Sequence, residues 1–560
     1  MILGIDLGTT NSLAAVWRGG QVELIPNHFG DFLTPSAVGL SDEGEIIVGK
    51  LAKERLITHP HLTQSRFKRF MGTQKKLALG SRKYLAEELS SFVLRKLVED
   101  AEAFLGEKVD EIIVSVPAYF NDEQRAATKV AGQLAGIKID RIINEPSAAA
   151  LALHRERGED ATYLIIDFGG GTLDISIVDA FLNVIEIVTV AGDNHLGGED
   201  FTQAIVEDFY RSWPDVKSQV TAEEEAQLYQ EADKAKKTLD KEETASFRVM
   251  VGQEWYSYRL NQERFLAISK PLLSRIQKPI RRALRDAQAS IEDIDRIILV
   301  GGNTKMPLVQ NYLSYLLKQP VRVDINQDEA IAIGCGVLTG IKARNEEIKD
   351  MVLTDICPFT LGVEIVGDVM SPILERNAVL PSSKVATYYT TQLGQTDIKL
   401  NILQGEEYRA SNNMKLGTLT IQVPRNMSHY ESIDVRFSYD INGILEVDVK
   451  VNSTGVSHQK VFLRDNKQLS DEEIAERRKH LASLKSHPKD KEDVQLLLSR
   501  AQRLFTDSTG SDREFLATCI ARFEQVLDSQ EARKVKEAVK LFERQLDALE
   551  QRLWGGFDGF

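Results

Sequence analysis

The nonapeptide GIDLGTTNS at residues 4–12 ends a buried strand on a carboxylate and then turns through small hydroxyl residues. The run from Ile2 to Ile5 is apolar, Asp6 supplies the carboxylate, and the chain becomes apolar again at Leu13. Glycines let backbone N–H groups approach an anion closely, and hydroxyls add further donors. The turn is therefore a candidate cradle for phosphate oxygens. Because a carboxylate repels phosphate, Asp6 fits such a site only if a hard cation such as Mg²⁺ lies between them.

A second copy of this pattern occurs at residues 164–172, as LIIDFGGGT. Its aspartate, Asp167, follows Asp6 by 161 positions, and both copies place glycine and threonine after the strand. Two copies at this separation indicate two related lobes rather than a short repeat. Chance similarity of two strand ends is the alternative, but the shared aspartate and Gly-Thr elements favour a common function. Two such turns facing each other would hold a polyphosphate from both sides.

Two other kinds of phosphate site fit the sequence less well. The chain has no G-x-x-x-x-G-K-[ST] sequence, which argues against a P-loop. It also has no G-x-G-x-x-G that opens a helix, which argues against a dinucleotide site. A third glycine pair, Gly301-Gly302, follows a strand at 296–300 and could pack under an adenosine. Alone, this pair would be an ordinary turn between a strand and a helix.

Length, charge and cysteine content set broad limits. A chain of 560 residues should form about two to four domains. The net charge of −14 argues against broad binding to nucleic acid, although a local basic patch is compatible with it. The three scattered cysteines are typical of buried apolar positions in a reducing compartment. No apolar run approaches a membrane span and the first strand begins at residue 2, so we expect a cytoplasmic protein without a signal peptide.

Three regions with different patterns follow one another along the chain. Up to about residue 345, strands such as 111–120 alternate with helical patterns such as 262–289, which is typical of α/β folds. Residues 357–463 alternate with period two and predict an all-β region with a hairpin through Asn442-Gly443. Beyond residue 470 the pattern is helical, and an apolar stripe on the last helix predicts packing within a bundle. The stripe consists of Val535, Val539, Phe542, Leu546, Leu549 and Leu553.

Eleven motifs occur in an order that is typical of one known family. In the first region they are GIDLGTTNS, VPAYFNDEQRAAT (116–128), RIINEPSAAALA (141–152), DFGGGTLDIS (167–176), GDNHLGGEDF (192–201), VGGNTKMPLVQ (300–310) and NQDEAIAIG (326–334). In the β region they are LGVE (361–364), ERNAVLP (375–381), LQGE (403–406) and DINGILEV (440–447). From residue 2 to about 463, this series resembles the seventy-kilodalton heat-shock chaperones, the DnaK family.

The resemblance implies a multidomain protein. An α/β actin-like ATPase domain of two lobes would span residues 1–348, and an interdomain linker 349–356. An all-β sandwich that binds peptides would span 357–466, and an α-helical lid 467–560. ATP or ADP with Mg²⁺, and K⁺ as a further candidate ion, would lie between the two lobes. ATP binding and hydrolysis would then control the binding and release of extended apolar segments of unfolded or specific client proteins.

The resemblance also implies the roles of individual residues in the cleft. The catalytic set would be Lys68, Asp6, Glu145, Asp174 and Thr172. Mg²⁺ would be held by Asp6, Asp167 and Asp174, partly through water. Without the resemblance, Lys68 in RFKRFMG (66–72) would read as a surface lysine.

Contacts to ATP would come from several glycine-rich turns and a few side chains. They are Gly8, Thr9, Thr10, Asn11, Gly169, Gly170, Gly171, Thr172, Gly197, Gly198, Asp233, Lys236, Gly301, Gly302, Lys305 and Asp328. This sequence departs from the family on the adenosine side. Asp233 is a shortened acid and Asp240 adds a charge, which puts the ribose contacts in doubt. Lys305 replaces an arginine, and an ammonium group lacks the planar face that stacks on adenine.

Coupling and peptide capture would involve two further sets of residues. Pro117, Arg125, Leu353 and Asp355 match positions that transmit the nucleotide state. Thr354 stands in the linker where an apolar residue is usual. The peptide pocket would be lined by Val363, Ile365, Val366, Tyr388, Thr391, Ile398 and Leu400. Tyr388 replaces a phenylalanine, so its hydroxyl needs a partner if it is buried.

Three segments are shorter than in full-length members of the family, and in this the chain resembles the specialised HscC-type members. They lie between Gly72 and Leu89, after Asp240, and at the end of the helical region. They predict that a GrpE-type exchange factor is dispensable, whereas a J-domain co-chaperone remains a partner of unknown identity. The protein is expected to be a monomer without nucleic-acid or membrane partners.

Three rival functions share part of this pattern. A small-molecule kinase of the actin superfamily uses similar paired turns, but it needs no β-sandwich and helical lid after an apolar linker. An actin-like filament protein would sediment in the presence of ATP, and the added substrate domain argues against it. A relative that acts as an exchange factor and has lost ATPase activity is disfavoured by the presence of Asp6, Lys68 and Glu145.

Overall fold

The computed structural model describes most of the chain as two compact units, Met1–Pro358 and Phe359–Phe560. Described are residues 1–462 except 43, 158–159, 182–183, 322–325, 346–347, 349–350 and 441–444, and then 494, 497–498, 500–501, 504–505, 508–529 and 532–554. The predicted Asn442-Gly443 turn lies outside these residues. Within them, no helix is both long and apolar enough to cross a membrane.

Helices and strands alternate in the first unit, whereas strands precede helices in the second. The helices are α1 (Lys50–Thr58), α2 (Ala86–Leu105), α3 (Asp122–Leu134), α4 (Glu145–Arg157), α5 (Gly198–Ser212), α6 (Ala222–Thr238), α7 (Gln262–Asp286), α8 (Pro307–Leu317), α9 (Ala330–Lys342), α10 (Gly510–Ser529) and α11 (Ala532–Trp554). The strands of the first unit are β1 (Ile2–Asp6), β2 (Asn11–Arg18), β3 (Gln21–Ile25), β4 (Thr34–Pro35), β5 (Ala37–Leu40), β6 (Ile46–Val48), β7 (Thr63–Ser65), β8 (Leu77–Leu79), β9 (Arg82–Tyr84), β10 (Glu111–Val116), β11 (Lys138–Asn144), β12 (Ala161–Phe168), β13 (Leu173–Phe181), β14 (Val184–Asp193), β15 (Thr244–Val251), β16 (Glu254–Asn261), β17 (Arg296–Val300) and β18 (Val352–Ile356). The strands of the second unit are β19 (Leu361–Ile365), β20 (Val369–Leu374), β21 (Val379–Leu380), β22 (Ser382–Tyr389), β23 (Asp397–Gln404), β24 (Met414–Gln422), β25 (Ser432–Tyr439), β26 (Leu445–Val451) and β27 (Ser457–Phe462).

The first lobe of the first unit is built on a sheet of order β11-β10-β1-β2-β3, with β4 paired to β2. Strands β1, β10 and β11 are parallel, and β2 turns back antiparallel to β1. Apolar side chains of these strands pack against α2, so that Ile5, Val93 and Val114 share one core. The predicted strand 111–120 is shorter in the structure because β10 ends before Pro117, whose ring leaves no N–H for the sheet.

The second lobe is built on a sheet in which β17, β12, β13 and β14 follow one another. As in the first lobe, two central strands are parallel and the next pair is antiparallel, since β12 runs parallel to β17 and antiparallel to β13. Helices α5, α6 and α7 cover this sheet, and Phe201, Leu228 and Ile276 belong to the same core. Helix α7 begins where the side chain of Asn261 accepts a hydrogen bond from the Arg264 N–H, at 2.8 Å.

Helices α4 and α9 lie between the two sheets and join the lobes. One core contains Ile113 of β10, Ile165 of β12 and Cys335 of α9. A side chain at Gly334 would collide with the backbone of Ala148, so glycine is what allows the two helices to touch. The strand ends of both lobes are therefore held at fixed positions by one pair of helices.

Part of the predicted linker, Val352–Ile356, forms a strand. Strand β18 pairs in parallel with β14, with Leu353 opposite Ile185 and Thr354 opposite Glu186. The Thr354 hydroxyl donates a hydrogen bond to the Ile185 carbonyl at 3.4 Å. The segment thus extends the second-lobe sheet at its edge.

The strands of the second unit form two antiparallel sheets, of order β20-β19-β23-β24 and β22-β25-β26-β27. Alternate residues such as Val435, Phe437 and Val447 are buried, which confirms the period-two pattern of the sequence. The Tyr388 hydroxyl lies 3.0 Å from the Ser371 hydroxyl, so the expected hydrogen-bond partner is present.

Helices α10 and α11 pack on each other in the same unit. Phe523 and Phe542 stack with ring centroids 4.2 Å apart. Four members of the predicted apolar stripe, Val535, Phe542, Leu546 and Leu549, are buried and Val539 is partly buried, which confirms packing within a bundle. The side chain of Leu553 lies outside the described residues.

Candidate functional site

Three buried carboxyl groups meet at the strand ends of the two lobes. Asp6 ends β1, and Asp167 of β12 lies opposite Asp174 of β13. They are 7%, 4% and 1% exposed, respectively. The Ser115 hydroxyl donates to Asp6 Oδ1 at 2.8 Å, and the backbone N–H of Tyr119 donates to Asp174 Oδ1 at 3.1 Å. The repeated sequence pattern therefore brings its two aspartates into one site.

A buried ion pair lies beside these carboxyls. Lys68 occupies a 3-10 turn, Phe67–Phe70, and its Nζ is 2.8 Å from Oε1 of Glu145, the first residue of α4. Both side chains are less than 10% exposed. One ammonium group thus faces four carboxyl groups in a region that water hardly reaches.

Burial and, next, the excess of negative charge raise the pKa of each aspartate. Burial and the Glu145 carboxylate raise the pKa of Asp6 to about 7, against the opposing effect of Lys68. Burial and Glu145 likewise raise the pKa of Asp174 to about 7. The pKa of Asp167 is raised well above its ordinary value by burial, Glu145 and Asp174. Carboxyls arranged in this way have a strong affinity for a cation.

The carboxyl cluster fits Mg²⁺ that keeps part of its water shell. Asp167 Oδ2 and Asp174 Oδ2 are buried and accept no hydrogen bond from the described residues, so two acceptors are free. The described residues include no group of three or more His, Cys, Asp or Glu side chains placed to hold a metal directly. Mg²⁺ often combines one or two carboxylates with waters and substrate phosphates, and these residues suit that mode.

The two glycine-threonine turns face each other. A side chain added at Gly170 would collide with Thr10 Oγ1, and one added at Gly171 would lie 3.1 Å from Thr9 Oγ1. The second turn closes on itself through a hydrogen bond from the Gly169 N–H to the Thr172 carbonyl, at 3.1 Å. Both turns therefore offer hydroxyls and small residues to the same space. Gly8 lies in the first turn, and Asn11 begins β2 directly after that turn.

The remaining glycine pairs adjoin these turns. Gly198 begins α5 and Gly197 is its N-cap residue, and a side chain at Gly197 would collide with the Gly170 carbonyl. A side chain at Gly198 would collide with that of Asn303, which follows Gly301-Gly302. The N-terminus of α5 thus lies between the second turn and the third glycine pair. Asn303 was not predicted from the sequence.

The charged residues expected near adenosine are already paired with one another. Lys236 Nζ donates to the Gly198 carbonyl at 2.9 Å and forms an ion pair of 2.9 Å with Asp233. Burial would raise the pKa of Asp233, but Lys236 and Lys237 outweigh it and hold this pKa at about 2. Lys305 forms an ion pair with Asp328. Burial raises the pKa of Asp240, against its lysine neighbours.

Five further residues join the lobes beside the second glycine-threonine turn, where Arg69 also donates to the Gly171 carbonyl. We call them the latch: Arg66, Arg69, Glu199, Asp200 and Tyr229. Arg69 is 2.7 Å from Asp200 and 3.6 Å from Glu199. The Arg66 guanidinium lies 4.3 Å from the Tyr229 ring centroid and 4.0 Å from Glu199. Burial raises the pKa of Glu199 to about 7, and both arginines oppose that rise. The sequence hinted at the latch only through the basic run 66–69.

A buried polar chain connects the first lobe with β18. The side-chain amide of Asn144 donates to both carboxylate oxygens of Asp355 at 2.7 Å, and Arg125 donates to Asn144 Oδ1 at 2.6 Å. Burial raises the pKa of Asp355, and the nearby Arg125 opposes that rise. Pro117 is buried and Leu353 half-buried. Asn144, which immediately precedes Glu145, is a link that sequence reasoning missed.

The residues predicted to line a peptide pocket differ in exposure. Val363, Ile398 and Leu400 are buried in the sandwich, and Tyr388 is half-buried. The others are exposed: Ile365, Val366 and Thr391. Exposed apolar residues at a strand end are compatible with a binding surface, whereas the buried ones also serve as core.

A comparison with protein-family models agrees with this arrangement. The chain matches the model described as Hsp70 protein, over residues 2–79 and 74–553. The match includes the turns, the carboxyl cluster, β18, the sandwich and the packed helices.

Proposed function

The chain belongs to the Hsp70 family of ATP-dependent chaperones, and we propose that ATP hydrolysis in the first unit controls peptide binding in the second. Members of the family bind ATP or ADP with Mg²⁺, and typically bind client peptides and J-domain co-chaperones. The observation that carries the proposal is the meeting of two glycine-threonine turns beside Asp6, Asp167 and Asp174.

Hydrolysis would depend on positioning and charge. The hydroxyls of Thr9, Thr10 and Thr172 and the backbone of Gly169–Gly171 would bind phosphate oxygens. Lys68, oriented by its ion pair with Glu145, would face the γ-phosphate and the attacking water. Mg²⁺, when bound through Asp6, Asp167 and Asp174, would neutralise phosphate charge. Asp233, Lys236, Lys305 and Asp328 would border the nucleoside.

Coupling would use the buried chain from Arg125 through Asn144 to Asp355. Because Asp355 lies in β18, a change near Glu145 could reach the linker through the adjacent residue Asn144. The second unit would bind extended apolar segments by main-chain hydrogen bonds and side-chain pockets. We also propose the boundaries at 348, 356 and 466, a cytoplasmic location and a monomer. An HscC-like character would make a GrpE-type exchange factor dispensable.

Steady-state ATPase activity with and without an unfolded apolar peptide tests this function. We expect the peptide to raise the rate, and Lys68→Ala to abolish turnover because the buried ammonium group is lost. Lys76→Ala, an exposed lysine from the same region, is the matched control and should behave as wild type. ATPase activity that is unaffected by peptide, or retained in Lys68→Ala, would contradict the proposal.

A further inference from the structure

Four basic residues form a stripe along the outer face of α7, and we call it the α7 stripe: Lys270, Lys278, Arg281 and Arg285. All four are exposed, and the described residues provide no ion pair for any of them. At 3.6 residues per turn they fall within a sector of about 80° and extend over about 22 Å. The stripe therefore places positive charge along one face of the helix, with a gap of about 12 Å between Lys270 and Lys278.

The positive charge of the stripe contrasts with the negative net charge of the chain. The whole chain carries a net charge of −14. Other basic residues of α7 have partners, since Arg264 pairs with Asp208 at 2.6 Å and Arg275 with Asp193 at 2.7 Å. The basic residues of α7 that have no ion pair among the described residues therefore all belong to the stripe.

Ordinary helix energetics account for only part of the stripe. A cation in the last turn is favoured by the helix macrodipole, which explains Arg285 but not Lys270 or Lys278. Arg281 has like-charged neighbours three residues before it and four residues after it, and such pairs destabilise a helix. An anionic partner would remove this repulsion.

Two tyrosines lie on α8, which contacts α7, and Tyr312 packs against the core to which both helices contribute. Tyr312 and Tyr315 are one turn apart, and Tyr315 is 82% exposed. Burial raises the pKa of Tyr312, and the opposing effect of Arg281 places that guanidinium near its ring. Arginine and tyrosine together are typical of the residues that carry binding energy at protein interfaces.

We propose that the α7 stripe and Tyr315 bind an acidic segment of a protein partner. Carboxylates of the segment would pair with Lys278, Arg281 and Arg285, and an apolar residue would pack on Tyr315. The charge complementarity favours an acidic ligand, and the exposed ring favours one that also has apolar side chains. The stripe lies on a convex helix rather than in a basic groove of the kind that follows a nucleic-acid backbone.

The test measures binding of fluorescein-labelled peptides to the full chain at low salt, by fluorescence anisotropy. One probe is a sixteen-residue polyglutamate, and the other has leucine at every fourth position. Both are measured with an excess of unlabelled apolar peptide, which fills the proposed peptide site of the second unit. The stripe variant Lys278→Glu/Arg281→Glu/Arg285→Glu should lower the affinity for both probes about tenfold. The control variant Lys53→Glu/Lys76→Glu/Lys450→Glu changes the net charge equally at exposed sites and should lower the affinity less than about threefold.

Tyr315→Ala distinguishes a protein segment from any polyanion. The leucine probe should bind wild type more tightly than polyglutamate does, and Tyr315→Ala should remove that advantage without affecting polyglutamate. ATPase activity of every variant verifies that the chain is folded. Equal losses in the stripe and control variants, no peptide binding, or tighter stripe-dependent binding of a sixteen-nucleotide oligouridine would overturn the proposal.

Discussion

The buried aspartates of the cleft share one electrostatic property, which is that each holds its proton to higher pH in the folded chain than in the unfolded one. For Asp174 the pKa rises from 3.8 to about 7, through burial and then Glu145. Between these values the folded state binds more protons, so the free energy of unfolding falls as pH rises. The fall is at most about 1.4 kcal/mol per pH unit for one carboxyl group.

We therefore predict that Asp174→Asn makes the thermal stability of the nucleotide-free protein less dependent on pH. Without Mg²⁺, the unfolding midpoint of wild type should decrease more between pH 5 and 7 than that of the variant, because asparagine does not titrate. Glu107→Gln, at an exposed site, is the control and should retain the wild-type dependence. Identical pH profiles for wild type and Asp174→Asn would contradict this assignment.

The latch leads to a prediction about nucleotide release. Arg66 lies over Tyr229 and near Glu199, so its side chain joins the two lobes. A contact of this kind contributes about 1 kcal/mol, which corresponds to about a fivefold change in rate. Arg66→Ala should accelerate the release of a fluorescent ADP analogue by that factor, measured by stopped flow. Arg82→Ala, an exposed arginine of the first lobe, should not, and equal rates for the two variants would refute the role of the latch.

At the residue level, a site residue can be predicted from the sequence when the pattern that marks it is local. Asp6 and Asp167 were found from the repeated pattern, because the strand, the acid and the glycine turn are adjacent in sequence. Arg66 and Asn144 were missed, because their importance arises from partners on other elements. A basic run has the same appearance in sequence whether it is solvated or joins two lobes.

At the level of elements, β18 shows where pattern reasoning reaches its limit. The resemblance implies a linker at 349–356, and within that range Val352–Ile356 form a strand parallel to β14. Strand β18 can pair only because β14, from a distant part of the chain, offers a free sheet edge. A local sequence pattern does not predict such an edge. By contrast, α7 and the stripe of α11 were predicted well, since a periodic apolar face is a local property.

This strand gives a prediction about coupling. Asp355→Ala would leave the Asn144 amide without its two acceptors and remove the charge that faces Arg125. We expect the stimulation of ATPase by peptide to fall at least about fivefold, with basal turnover retained. Thr354→Val removes only the 3.4 Å hydroxyl contact in the same strand and is the matched control. Normal stimulation in Asp355→Ala would exclude this route.

For the whole molecule, the central claim is that the nucleotide state of the first unit controls peptide binding in the second. The nucleotide can control peptide binding only if the peptide binds the ATP state and the ADP state with different affinities. The sequence predicted the order of an α/β region, a β-sandwich and a helical region, because each has its own period. The control of one unit by the other is not contained in any single element and must be measured.

The most direct measurement is the affinity of a labelled, extended apolar peptide for the full chain in saturating ATP and in saturating ADP. The account predicts binding that is weaker in ATP by about tenfold or more. The same affinity in both nucleotides would contradict it.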